Sequence, residues 1–207
     1  MKTLFIPLLR RNIYFNKKIL NKFVDEIGSK ENIDIFYTIQ YKKLAEAVKK
    51  YLGLKSEIKQ VLGCSLIKTK KNVLLICDGK FHALNIAINS KKEIYFFNGY
   101  CIEKISYDEI SHYENNKKAK IKKFFLCDKI GIIVSIKKYQ NKLDYALLLK
   151  NKIEKLGKKV YILICDNVTK EEIENFSLPL YINTACPGLD KDDKKILNYL
   201  DILEFLK

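Results

Sequence analysis

Four residue types that can do chemistry lie in one stretch, Gln60–His82, which reads QVLGCSLIKTKKNVLLICDGKFH. Two short apolar runs, Val61–Leu62 and Val73–Cys77, are each followed by residues that do not suit a core. The first run leads to Gly63–Ser65, which holds a cysteine, and the second leads to Asp78–His82. Ligands of α/β proteins bind at the carboxyl ends of parallel strands. We therefore expect a thiol, a carboxylate, an ammonium and an imidazole at one rim of a sheet.

A second strand-like run ends on a cysteine in the segment YINTACPGLD, residues 181–190. Cys64 and Cys186 each follow such a run and lie beside Gly, Ser or Pro. A thiolate in an accessible turn can act as a metal ligand or a nucleophile. We interpret the molecule as organised around these two cysteines.

The other four of the six cysteines are in ordinary positions. Cys77 (LLICD) and Cys165 (ILICD) lie inside apolar runs, where Cys behaves as a small hydrophobic residue. Cys127 closes an apolar helical patch, and Cys101 follows a turn. No CxxC motif is present, and a cytosolic chain is not expected to form disulfides.

Composition limits the classes of function. The 207 residues are 48% hydrophobic, enough to bury a core, and neither a membrane-length apolar run nor a signal-peptide pattern is present. We therefore expect a cytoplasmic protein. The net charge of +15 comes almost entirely from Lys, with Arg only at positions 10 and 11. Nucleic-acid recognition usually recruits Arg, so a nucleic-acid partner is not expected.

Apolar periodicity predicts alternating strands and helices. The first half predicts strands Thr3–Ile6, Ile33–Ile39, Ile58–Leu62, Val73–Cys77 and Ile94–Phe97, and helices Phe15–Ile27, Leu44–Leu52 and Leu84–Ile88. After a linking helix at Ser111–Cys127, the second half predicts strands Gly131–Ser135, Lys159–Cys165 and Leu180–Asn183, and helices Leu143–Leu156, Glu171–Phe176 and Tyr199–Leu206.

This alternation predicts an α/β fold, with two similar small parallel-sheet α/β domains packed around a shared cleft. The domains are residues 1–112, carrying Cys64, and 113–207, carrying Cys186. Their starts are similar in sequence, IDIFYTIQ against IGIIVSIKKYQ.

Some aspartates have simpler interpretations. Asp166 is expected to cap the helix after its strand, and Asp78 could either cap a helix or belong to a site. Asp192 and Asp193 are expected to order the last segment.

Five strings occur in the order of a known family: QVLGCS, DGKFH, SIKKYQ, GKKVYILICDNVT and NTACP. They resemble the second and third domains of the archaeal diphthamide biosynthesis enzyme, 2-(3-amino-3-carboxypropyl)histidine synthase, over nearly the whole chain. The first domain of that family has no counterpart, so the chain is expected to start where the second domain would.

The resemblance implies a specific chemistry. In that family, three α/β domains each donate one cysteine to a [4Fe-4S] cluster, and S-adenosyl-L-methionine is cleaved to a 3-amino-3-carboxypropyl radical that attaches to a histidine of translation elongation factor 2. Carried over, the cluster ligands are Cys64 and Cys186, and no catalytic residue is assigned. The cofactor-binding residues implied are Gln40, Asp78, Gly79, Lys80, His82, Ser135, Lys138 and Gln140.

The sequence also departs from the family pattern. Lys80 replaces an Arg, Ala83 a Pro, Asn98-Gly99 an Asp-Pro pair, and Gly188 the Arg after Cys-Pro. Two cysteines cannot hold a three-thiolate cluster, so the chain is not expected to be active alone.

Three hypotheses follow. The chain is a transferase component that takes its third cysteine from a first-domain-containing homologue or another dimer partner, with elongation factor 2 as protein substrate. Alternatively, it is a diverged non-catalytic paralogue acting as a binding or partner protein. The third possibility is a general α/β protein in which both cysteines are structural.

Overall fold

The computed structural model describes residues 6, 8–11, 13–55, 57–138, 140–190 and 193–206. The chain divides into two compact units, Met1–Ser111 and His112–Lys207. Of the predicted strand Thr3–Ile6, all but Ile6 lies outside the described residues, as does Asp192.

The first unit contains a five-stranded sheet in the order β2-β1-β3-β4-β5. Its first four strands are parallel, and β5 is antiparallel to β4. The elements are α1 (Lys17–Ile27), β1 (Ile33–Tyr37), α2 (Lys42–Leu52), β2 (Lys59–Gln60), β3 (Asn72–Ile76), α3 (Lys80–Ser90), β4 (Ile94–Phe97) and β5 (Ile102–Ile105), followed by α4 (Tyr107–Leu126), which crosses the boundary between the units.

The second unit contains a four-stranded parallel sheet in the order β7-β6-β8-β9. Its elements are β6 (Lys129–Ser135), α5 (Leu143–Glu154), β7 (Lys159–Cys165), α6 (Lys170–Asn175), β8 (Tyr181–Asn183) and β9 (Ile196–Asn198). A short 3₁₀ turn, Pro187–Asp190, separates β8 from β9.

Two apolar layers cover the first sheet, because successive side chains of a strand point to opposite faces. Ile35 of β1 packs in one cluster with the buried stripes of α1 and α2, whereas its neighbour Phe36 packs in the other cluster with α3. Leu74 and Leu75 of β3 divide in the same way. Both faces are thus filled, and the carboxyl edge of the sheet is left for polar residues.

The structure confirms the α/β class with two parallel-sheet units. The shared cleft stays a prediction. Helix α3 begins at Lys80, four residues before the predicted start, because Lys80, Phe81 and His82 are exposed or half-buried and add no buried apolar residue to the pattern. The predicted terminal helix Tyr199–Leu206 is wrong, since this segment forms two 3₁₀ turns. Strands β5 and β9 were not predicted; the middle of β5 is the exposed charged pair Glu103-Lys104, which lacks the apolar pattern of a buried strand.

Two further findings bear on cellular context. None of the described helices combines the length and apolar character needed to cross a bilayer. All six cysteines are free thiols, and they range from fully buried Cys77 to exposed Cys64.

Gly131 of β6 lies close to the side chains of Tyr181 and Leu178. A Cβ at this position would lie 2.6 Å from Cδ1 of Tyr181 and 3.1 Å from Cδ1 of Leu178. The Tyr181 ring cannot move aside easily, because its hydroxyl donates to the Ile173 carbonyl at 2.6 Å and accepts from the Leu178 amide at 3.1 Å.

Gly131→Ala is therefore expected to lower the free energy of unfolding by about 1–3 kcal/mol, the usual range for overpacking a core. Urea unfolding followed by circular dichroism measures this change. The control is Gly79→Ala, where nothing lies within 4 Å of the added carbon. This variant should lose less, about 1 kcal/mol at most, as a weaker helix N-cap. Equal stability of Gly131→Ala and the native protein would contradict the packing described.

Candidate functional site

Three parallel strands of the first unit end side by side. Tyr37 of β1 pairs with Gln60 of β2 on one side and with Ile76 of β3 on the other. Backbone hydrogen bonds continue one residue further, from the Val61 amide to the Tyr37 carbonyl at 2.9 Å and from the Thr38 amide to the Ile76 carbonyl at 3.1 Å. The segments holding Gln40, Cys64 and Asp78 therefore leave the sheet at one edge, which we call the first rim.

Cys64 lies in a tight turn after β2, with its side chain exposed. The Ser65 hydroxyl accepts a hydrogen bond from the Leu62 amide at 2.9 Å, and the Ser65 amide donates to the Leu62 carbonyl at 3.0 Å. Asn89 of α3 donates its side-chain N–H to the Cys64 carbonyl at 3.3 Å. The backbone of the cysteine is thus tied to α3 while the thiol faces solvent.

Gly63 allows the same turn to approach His82. A Cβ on Gly63 would lie 3.3 Å from Cδ2 of His82 and 3.5 Å from Nδ2 of Asn85, so a larger residue would press on both side chains. Nδ1 of His82 is 3.7 Å from Oδ1 of Asp78, one helical turn away. The structure therefore brings the cysteine turn, the imidazole and the carboxylate together at the first rim.

The aspartates at strand ends do not cap helices. The N-cap of α3 is Gly79, which has extended backbone and no side-chain cap, so Asp78 leaves its carboxylate 63% exposed. The expectation that Asp166 caps α6 is wrong, because Thr169 does so in a capping box with Glu172. Asp193 orders the approach to β9, accepting from the Lys195 amide at 2.6 Å.

Lys80 is paired with Glu109 of α4, at 2.5 Å between Nζ and Oε1. The same carboxylate accepts from the Ser106 amide at 3.0 Å. The hydrogen bond between them raises the pKa of Lys80 and lowers that of Glu109. Nothing in the sequence indicated Glu109, because it lies 29 positions away on a polar helix. The rim ammonium is consequently balanced by a protein carboxylate.

The chain before α1 also reaches the first rim. The Arg10 amide donates to the carbonyl of exposed Gln40 at 2.9 Å. Nη1 of Arg10 donates to the Tyr41 hydroxyl at 3.0 Å and to the Asn98 carbonyl at 3.1 Å. Burial raises the pKa of Tyr41, and the nearby guanidinium opposes this shift. The sequence had marked Arg10 only as one of two arginines.

Cys186 lies in the turn after β8 and is half-buried. Asn183 braces this turn with both ends of its amide, accepting from the Ala185 amide at 2.9 Å and donating to the Cys186 carbonyl at 2.7 Å. Its Nδ2 also donates to Oδ1 of Asn198 at 2.7 Å, and Asn198 donates to the Pro187 carbonyl at 3.0 Å. The Asn of NTACP thus shapes the backbone around the thiol.

The other predicted residues of the second unit lie at the end of β6 and in the loop that follows it. Ile133 pairs with Asn183, so the ends of β6 and β8 are neighbours at an edge that we call the second rim. Ser135 is only 1% exposed, and its hydroxyl accepts from the Lys137 amide at 3.1 Å, so it braces the loop. Lys138 is exposed and Gln140 is half-buried.

Thiol chemistry differs among the cysteines. Cys77 is fully buried and donates to the Gly79 carbonyl at 3.4 Å, and burial raises its pKa to about 12. Burial also raises the pKa of Cys165. These two thiols stay protonated near neutral pH and are poor ligands.

Thiolates are the usual ligands of iron–sulfur clusters. Each rim offers one thiol in a turn, which fits this donor type. Among the residues that the structure describes, no group of three or more His, Cys, Asp or Glu side chains could hold a metal ion. The described residues thus fit part of a cluster-binding set.

The cysteines should differ strongly in alkylation by iodoacetamide. In folded, reduced protein Cys64 should react first, because it is exposed, and Cys77 should react only after unfolding. At pH about 9, Cys77 should still be unreactive, because its thiol keeps its proton. Peptide mass spectrometry over time measures each rate. Labelling of Cys77 at the rate of Cys64 in folded protein would overturn this assignment.

The Lys80–Glu109 pair should stabilise the fold only at pH values between the pKa of the Glu109 carboxyl and the pKa of the Lys80 ammonium. The lowered pKa of Glu109 means that its contribution is present above the pKa of the unfolded chain and is lost as the pH falls through the folded value. Glu109→Gln should therefore lower stability at pH about 7, by less than about 1 kcal/mol because the pair is partly exposed, and should have a smaller effect near pH 3. Urea unfolding at both pH values tests this. Glu46→Gln, at an exposed residue of α2, is the control, and an equal effect of Glu109→Gln at both pH values would argue against the pair.

Comparisons with known proteins fit these observations. The family described as "Putative diphthamide synthesis protein" matches residues 1–199. The 2-(3-amino-3-carboxypropyl)histidine synthase of Methanocaldococcus jannaschii is 31% identical over 206 residues, covering 93% of this chain and 57% of that protein. The synthase of Pyrococcus horikoshii is 30% identical over 137 residues, covering 65% of this chain and 40% of that protein.

Solved structures show the same fold. The crystal structure of Dph2 from Pyrococcus horikoshii with a 4Fe-4S cluster superposes with a TM-score of 0.78 at 24% identity, covering 96% of this chain and 64% of that chain. A second Dph2 structure from that organism gives a TM-score of 0.75 at 23% identity. The chain spans less than two thirds of the length of these relatives. The family match over residues 1–199 leads to one assignment: the chain belongs to the diphthamide synthesis protein family.

Proposed function

We propose that this chain carries two of the three thiolate ligands, Cys64 and Cys186, of a [4Fe-4S] cluster in a 2-(3-amino-3-carboxypropyl)histidine synthase. The observation that carries the proposal is an arrangement found in both units. Each places one free thiol in a braced turn directly after a parallel strand. Membership of the diphthamide synthesis protein family supports a role for these two thiols as cluster ligands.

The substrate of this reaction is S-adenosyl-L-methionine, and its 3-amino-3-carboxypropyl group is transferred to a histidine of translation elongation factor 2. When bound, the cluster supplies the electron that cleaves the carbon–sulfur bond of S-adenosylmethionine. We propose that side chains of the first rim bind and orient the substrate. Asp78, with its exposed carboxylate, suits the ammonium of the methionine moiety, and Gln40, Gly79 and His82 line the same rim. The reaction takes place in the cytoplasm.

The remaining cofactor residues act less directly. Lys138 and Gln140 contribute polar groups at the second rim, and buried Ser135 acts by fixing their loop. Lys80 keeps its positive charge, but it is paired with the carboxylate of Glu109. This ion pair weakens the attraction of Lys80 for a substrate carboxylate. A Lys ammonium also lacks the two-pronged geometry of Arg.

The third thiolate comes from outside these 207 residues. Cys77 and Cys165 are disfavoured by their raised pKa values. The Cys101 thiol donates to Oδ1 of Asn98 at 3.6 Å and to Oε1 of Glu103 at 3.7 Å, and Cys127 precedes β6, at the opposite end of that strand from the second rim. We propose that a first-domain-containing homologue, or another copy in a homo- or heterodimer, supplies it.

The pairing of Lys80 with Glu109 also supports a second candidate, a non-catalytic paralogue that binds a partner. A chain of this kind would keep the fold without transferring the group. The two candidates differ in whether the chain takes up iron when a third cysteine is available.

Anaerobic reconstitution with iron and sulfide tests the proposal. The chain alone should take up little intact cluster and should not cleave S-adenosylmethionine. Together with a first-domain-containing homologue, it should gain the broad visible absorption of an iron–sulfur protein and about four iron and four sulfide per complex, the content of the proposed cluster.

Cys64→Ala and Cys186→Ala should each abolish this absorption. Cys77→Ala is the matched control and should leave it unchanged, with some loss of stability from the cavity. Full cluster loading of the isolated chain would refute the need for a partner thiolate. Unchanged loading after both rim substitutions would refute the ligand assignment. Absence of iron with every partner tried would favour the non-catalytic paralogue.

A further inference from the structure

Asp190 ends the short 3₁₀ turn that begins directly after Cys186, and it is 1% exposed. Two residues of α4 hold it. The Tyr113 hydroxyl donates a hydrogen bond to Oδ2 of Asp190, and the ammonium of Lys120 donates to the Asp190 backbone carbonyl. The anchor therefore fixes both the side chain and the backbone four residues after the thiol.

These contacts use groups that are costly to bury. Lys120 is 8% exposed, and burial lowers the pKa of its ammonium, although the charges of Asp190, Asp193 and Asp201 oppose this shift. Burial likewise raises the pKa of Tyr113, and the carboxylate of Asp190 raises it further. A buried ammonium in apolar packing alone would destabilise the fold, so its position implies a specific partner.

Apolar packing supports part of the Cys186 turn, because Leu189 packs with the cluster around Tyr181 and Ile196. Asp190, at the end of the turn, borders an open cavity of about 310 Å³ that Tyr113 and Lys120 also line. At this open side, the contacts of Tyr113 and Lys120 hold the end of the turn.

We propose that Asp190, held by Tyr113 and Lys120, is a positioning residue that fixes the Cys186 turn and so aims its thiol. Asn183 holds the turn at its start, at the Cys186 carbonyl, and Asp190 holds it at its end. The ligand role of this thiol rests on the proposed function. The restriction of the turn does not, because it is a property of the polypeptide without a cluster.

The test measures alkylation of each cysteine by iodoacetamide in the reduced, cluster-free chain. Tyr113→Phe removes one hydroxyl, and Lys120→Met removes one ammonium while keeping most of the side-chain volume. Each should raise the rate at Cys186 about tenfold, the change in local opening expected when a hydrogen bond to a charged group is lost. The rates at Cys64 and Cys77 should stay unchanged. Lys117→Met is the matched control, because Lys117 lies on the same helix and pairs with Asp201 at 3.4 Å instead.

An unchanged rate at Cys186 in Tyr113→Phe and Lys120→Met would overturn the proposal. A parallel rise at Cys64, Cys77 and Cys186 would also overturn it, because the contacts would then support the whole fold rather than the turn. A Cys186 rate raised as strongly by Lys117→Met would do the same. Reconstitution of the variants with the partner separates the two proposals. Altered alkylation without any iron uptake by the native chain would leave the positioning role standing and refute the ligand role.

Discussion

Parallel pairing of β1 with β2 on one side and β3 on the other is the interaction that creates the first rim. Because Tyr37 is bonded in register to Gln60 and Ile76, three chain segments must leave the sheet at one level. Apolar packing on both faces fixes this register, since a slip by one residue would exchange the buried side chains of β1 between the faces. The positions of Cys64 and Asp78 follow from that constraint.

Strand ends alone do not orient a thiol, and each unit adds its own bracing. In the first unit, Ser65 closes the cysteine turn and the absence of a side chain at Gly63 lets it approach His82. In the second unit, Asn183 binds the backbone on both sides of Cys186. The two turns are thus held by different residues, Ser65 in the first unit and Asn183 in the second.

Helix α4 contributes through electrostatics at two places along its length. Glu109 in its first turn balances Lys80 at the first rim. Further along, Tyr113 and Lys120 hold Asp190 in the second unit. Its sequence looks like a polar, lysine-rich connector, yet three of its side chains contact segments next to the proposed site residues. Some charged residues that lie far apart in the sequence are thus paired with specific partners in the fold.

The α/β class and most long elements could be predicted from sequence, because burial of one face of a strand or helix requires apolar residues at regular spacing. Strands Ile94–Phe97 and Lys159–Cys165, for example, have the predicted bounds. The strand-end placement of Cys64 and Cys186 followed from the same pattern, and five ordered motifs indicated the family that the comparisons confirm. Only the tertiary structure decided which polar residues meet. Lys80 with Glu109 and Asp190 with Tyr113 join positions 29 and 77 residues apart, and a polar contact of this kind leaves no period in the sequence. Whether Asp78 and Asp166 cap helices was also decided only by the structure, because a cap depends on the exact residue at which the first turn begins, here Lys80 in α3 and Lys170 in α6.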